Sequence, residues 1–83
     1  MLINKTYTSF RRQEFVDYFS NIGILKAEGV FFGQGWEVKI GEERNKYIGN
    51  MSFITVDLNI EIRENISEEF LNNLRLAFLR GGG

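Results

Sequence analysis

From residue 54 to residue 63 the chain alternates without a break. Ile54, Val56, Leu58, Ile60 and Ile62 are apolar, and Thr55, Asp57, Asn59, Glu61 and Arg63 between them are polar. Successive side chains of a β-strand point to opposite faces, so this run predicts a strand with one dry face and one wet face. A sheet covered on both sides would show continuous apolar runs instead. The alternation therefore predicts a mostly antiparallel sheet with its helices packed on one face, and it disfavours a doubly wound α/β fold.

The rest of the chain supplies elements that fit this sheet. Residues 2–8 are β-prone, and Ser9 is placed to cap a helix whose stripe Phe15, Phe19 and Ile22 recurs at the helical period. Gly23 follows as a left-handed helix stop. Val30-Phe31-Phe32 and Trp36 to Ile40 read as two strands about a glycine turn, with Trp36, Val38 and Ile40 on the buried side. Residues 42–46 are polar enough for a turn, and a short strand is expected around Tyr47 and Ile48, ending at Gly49-Asn50. Ser67 is expected to open a second helix, with Ile66 stapled to Leu71 and with Phe70, Leu74, Ala77 and Phe78 as its buried stripe. The predicted order is β-α-β(3-4)-α, an α+β fold with both helices on the same sheet face.

Eighty-three residues are enough for one core and not two. Residues 1–80 are read as a single α+β domain and residues 81–83 as a flexible glycine tail, and a stable monomer or small oligomer is expected. Ten Lys and Arg balance eleven Asp and Glu, so no global field draws the chain to nucleic acid or to anionic lipid. Met1-Leu2-Ile3 meets Asn4 and Lys5 at once, too soon for a signal peptide or a membrane span. Cysteine is absent, which excludes disulfides and thiolate chemistry and makes the cytoplasm the expected compartment. Histidine is absent too, which removes the commonest metal ligand and the side chain best suited to proton transfer near neutral pH.

Three groups of residues are candidates for function. The tail Arg80, Gly81, Gly82 and Gly83 can enter a narrow active site that any Cβ would block, or can simply end a helix. Ser9, Arg11 and Arg12 fall at the start of the first helix, where positive charge opposes the helix dipole, and could hold a small anion. Glu37, Asp57, Asn59 and Glu61 share the wet sheet face, but no ligand spacing marks a metal site, and Lys39 and Arg63 can neutralise them. The glycines at 29, 33, 35 and 41 precede no helix and no Lys-Ser or Lys-Thr pair, so they are turn residues and not a phosphate loop. No acid, base and nucleophile can be placed together, so no catalytic residue and no cofactor is assigned.

Several segments form a recognisable series: Lys5-Thr6-Tyr7, the helix bearing Phe15 and Tyr18, Gly29-Val30 before a hairpin, and Ile48-Gly49 ahead of Met51-Ser52. The most specific piece is the ending, where Leu74 to Leu79 run into Arg80-Gly81-Gly82-Gly83. Through these residues the chain resembles, along nearly its whole length, the C-terminal domain of the MoaD-related proteins, which follows a ubiquitin-like sulfur carrier. The resemblance implies a TATA-binding-protein-like arrangement and a setting in molybdopterin or tungstopterin cofactor synthesis. In that setting the expected partner is a sulfur carrier or its adenylating enzyme, and the chain acts by protein contact without catalysis. Sulfur carriers of the ubiquitin fold present Gly-Gly after a strand, whereas the glycines here follow a predicted helix. The reading from another class is a small-anion-binding or small-ligand-binding domain at the first helix N-terminus.

Overall fold

A computed structural model describes residues 1–79. Along the chain run β1 (Leu2–Thr8), α1 (Arg12–Ile22), β2 (Ile24–Ala27), β3 (Val30–Gly33), β4 (Trp36–Ile40), β5 (Arg44–Ile48), β6 (Met51–Ile62) and α2 (Glu64–Ala77). All the strand pairings are antiparallel, and the sheet runs β1-β6-β4-β3-β2 with β5 also paired to β6. The predicted α+β class and element order hold. Five strand segments separate the helices, and β4 with β5 forms one interrupted strand.

That interruption is a bulge. β4 pairs with β6 up to Ile40↔Leu58 and β5 resumes at Arg44↔Thr55, so residues 41–43 lie opposite only residues 56 and 57. The Gly41 amide keeps one ladder bond, to the Asp57 carbonyl at 2.8 Å. From Trp36 to Ile62 the chain is thus one long hairpin. It turns at Gly49, whose positive φ of 59° beside a negative one at Asn50 is the signature of a type II′ turn. The sequence reading placed residues 42–46 in a turn, whereas the strand resumes at Arg44. Polarity misled there because β5 is exposed along its whole length.

β6 buries Val56, Leu58, Ile60 and Ile62 on one face, and across the sheet Val38, Ile40 and Phe31 lie level with them. Both helices cover this face. α1 contributes Phe15 and Phe19 and α2 contributes Leu74, all fully buried. Phe78, just past α2, stacks on Phe15 at 4.3 Å between centroids, and Phe70 lies over Phe19 and Trp36. Each fully buried aliphatic or aromatic side chain contributes about 1.5–3 kcal/mol.

Several local expectations are corrected. The cap of α1 is Arg11 and not Ser9, which takes φ +72° and donates its amide to the Ile54 carbonyl at 2.8 Å. Gly23 is extended, at φ −145°, and not left-handed. A Cβ there would lie 2.7 Å from the Phe32 carbonyl oxygen and 2.5 Å from the Trp36 ring, so this glycine is required by close packing under the indole. Ile22 is 47% exposed, and Ala77 is also outside the core. α2 starts three residues before Ser67, behind Arg63, and the Ser67 hydroxyl bonds back to the Glu64 carbonyl at 2.8 Å. The strand β2 was not foreseen.

Ile60→Ala is expected to cost about 2–5 kcal/mol because it opens a cavity beneath both helices. Ile24→Ala, at a side chain 63% exposed, should stay within about 0.5 kcal/mol. Urea unfolding followed by Trp36 fluorescence measures both. By the same assay Gly23→Ala should destabilise by about 1–3 kcal/mol through overpacking, although alanine elsewhere stiffens the unfolded chain and stabilises.

Candidate functional site

The start of α1 is closed by the chain's own carboxylates. The Arg11 amide donates to Glu14 Oε2 at 2.7 Å, and the Glu14 amide donates back to the Arg11 carbonyl at 3.1 Å. The Arg12 amide donates to Glu43 Oε1 at 2.8 Å, and its Nε donates to the Gly41 carbonyl at 3.0 Å. Helix N-termini attract negative charge, and here Glu14 and Glu43 supply it. The same bonds fasten the 41–43 bulge to the helix.

Ser9, Arg11 and Arg12 do not converge. Ser9 and Arg11 line one depression of about 390 Å³ together with Glu14. Arg12 lines another of about 450 Å³ with Glu28, Glu42 and Glu43. An external anion at either place has to displace a carboxylate already bonded to a backbone amide. The other sequence candidate, Arg80, Gly81, Gly82 and Gly83, lies outside the described residues.

The wet face of the sheet is more organised. Of the residues singled out there, Asn59 and Glu61 are exposed, while Glu37 and Asp57 are half-buried. Glu37 accepts from Lys26 at 2.7 Å. Asp57 accepts the Thr6 hydroxyl at 2.6 Å on one oxygen and pairs with Arg44 on the other. Thr55 sits on this polar side yet is only 6% exposed, with its hydroxyl 3.3 Å from the Arg44 carbonyl. Sequence reasoning found Asp57 but missed Thr6, Thr8, Arg44, Lys46 and Thr55, because only the register of three separate strands brings them together. Among the described residues no group of three or more His, Cys, Asp or Glu side chains could hold a metal ion. No helix among them is long and apolar enough to cross a membrane.

On the helix side, Tyr7 packs among Phe10, Phe15 and Phe78 with centroids 5.1–6.1 Å apart. Burial, and secondarily the neighbouring Tyr18 phenol, raise the Tyr7 pKa above 10.0. Burial raises that of Tyr18.

A family model described as archaeal MoaD-like protein matches residues 3–83. No curated protein matches the chain.

The raised phenol of Tyr7 gives a pH dependence with a defined sign. Below pH 10.0 the phenol is neutral folded and unfolded, and its contribution to stability is whole. Above that value the unfolded chain ionises first, so stability falls as pH rises through the folded-state pKa. The denaturation midpoint of the native chain should therefore drop in that alkaline window more steeply than that of Tyr7→Phe.

Proposed function

The chain belongs to the archaeal MoaD-like proteins, and from that membership we propose that it is an accessory or regulatory module of molybdopterin or tungstopterin cofactor synthesis. It works by contact with a sulfur-carrier protein or with the enzyme that adenylates one, and it carries out no chemistry itself. The observation that supports the pathway in this reading is the family match, which extends over residues 3–83. Composition supports it as well: with no histidine and no cysteine, the chain lacks the usual proton shuttle and the usual sulfur nucleophile.

Two surfaces are available for the contact. One is the tail, Arg80, Gly81, Gly82 and Gly83, whose three glycines lack side chains and so suit a narrow groove. The other is the wet sheet face, which neither helix covers. The helix N-terminus is the weaker place for a ligand, since Glu14 and Glu43 already occupy its amides. Cofactor synthesis in the cytoplasm, with the chain as a monomer or small oligomer, completes the reading.

The test is direct titration of the purified chain with a sulfur carrier and with its adenylating enzyme from the same genome, read by calorimetry. A complex with one of them is expected. Deleting Gly82 and Gly83 should abolish it if the tail docks and leave it intact if the sheet face does. Heat signals absent with both proteins would overturn the assignment.

A further inference from the structure

On the wet face a depression of about 430 Å³ lies between the Thr6 and Thr8 side of β1, the Thr55 and Asp57 positions of β6, and Arg44 and Lys46 of β5. Thr8, Thr55 and Arg44 are in register across three strands, and Thr6 faces Asp57 in the next row. Arg44 and Lys46 are two residues apart on the same strand face, roughly 7 Å along β5.

The hydrogen bonds already made define what such a ligand must offer. A hydroxyl has one proton and two lone pairs. The Thr6 proton goes to Asp57 and the Thr55 proton to the Arg44 carbonyl, so both oxygens can only accept from anything else. Asp57 takes one Arg44 nitrogen, which leaves further guanidinium donors. The Lys46 ammonium makes no hydrogen bond or ion pair among the described residues. Two cations against one carboxylate leave the depression net positive. Its complement is therefore an anionic group with hydrogen-bond donors close beside it. Inorganic phosphate supplies the first, but its only donors are hydroxyls on the anion itself. The end of a polypeptide supplies both, because its last amide N–H is attached to the same Cα as its carboxylate.

We propose that this depression receives the terminal carboxylate of an extended peptide segment, with Arg44 and Lys46 on the carboxylate and Thr6, Thr55 and Asp57 accepting from the adjoining amides. The inference rests on the reading above only in placing a protein segment on the wet face, and it does not depend on which protein supplies it. Because both cations are exposed to solvent, the affinity for a minimal peptide is in the millimolar range and falls as salt is added.

The test is an NMR titration of the ¹⁵N-labelled full chain with triglycine, with triglycine amide and with inorganic phosphate. Triglycine should shift the amides of Thr8, Arg44, Lys46 and Thr55. Its amide should bind about tenfold more weakly, for want of the charge-assisted bonds. The double variant Arg44→Gln, Lys46→Gln should lose about tenfold in affinity, and Lys39→Gln, on the same face opposite Asn59, should lose none. If the double variant does not fold, Lys46→Gln alone should still weaken binding about threefold. Equal binding of acid and amide, phosphate binding tighter than triglycine, or no shift in these residues would each overturn the proposal. Triglycine binding without a carrier complex would sink only the pathway assignment, and the reverse result would sink only this one.

Discussion

β6 is paired on both edges and buried on one face, and no other strand here combines the two to that extent. Its 12 residues hold β1 along one side and β4, then β5, along the other. Val56, Leu58, Ile60 and Ile62 from this one strand lie under both helices. A slip of one residue in its register would turn that row to water and bring Asp57, Asn59 and Glu61 beneath Phe15 and Phe19. The register is therefore held by the desolvation cost of the polar row as much as by the burial of the apolar one. The wet face inherits its order from the same constraint, since Thr8, Thr55 and Arg44 line up only when β1 and β5 both pair correctly with β6.

The α1 N-terminus and the 41–43 bulge form a second, smaller unit. Arg12 donates its amide to the Glu43 carboxylate and its Nε to the Gly41 carbonyl, so helix start and strand interruption are bonded to each other twice. These bonds offset the unfavourable placement of arginines in a first helical turn. They also connect the covered side of the molecule, where the helix packs, to the point at which the long hairpin passes from β4 to β5. The molecule spans 43 × 27 × 21 Å, and its long axis matches the length of a hairpin arm of 12 residues, roughly 40 Å.

The class and order of this fold were legible because they depend on periodicity. Alternation over residues 54–63 announced the sheet and its one covered face, and the spacing of Phe15 and Phe19 announced the helix on it. Local punctuation was less legible. Ser9 and Ser67 are good caps by type, but Ser9 is drawn into a backbone bond with Ile54 and Ser67 falls inside a helix that Arg63 begins. Gly23 is legible as a helix stop, but the reason it must be glycine is not, since the Trp36 indole and the Phe32 carbonyl that forbid a Cβ there come from other elements. β2 and β5 were faint because exposed edge strands lack the apolar pattern that reveals buried ones. On the candidate site, residue type pointed to Ser9, Arg11 and Arg12, yet the amides of Arg11 and Arg12 are taken by Glu14 and by Glu43, the latter 31 residues from Arg12. Beyond Asp57 and the wet row it shares with Thr55, the polar cluster carries no sequence signal, since it is assembled from three strands.

Native-state hydrogen exchange resolved by residue tests the central role of β6 most directly. Amides of residues 56–62, paired and overlaid by the core, should exchange only through global unfolding, with the free energy measured by denaturant, while the outer edge of β5 exchanges through far smaller openings. Fast, sub-global exchange in the middle of β6, or protection in β5 equal to it, would contradict the account.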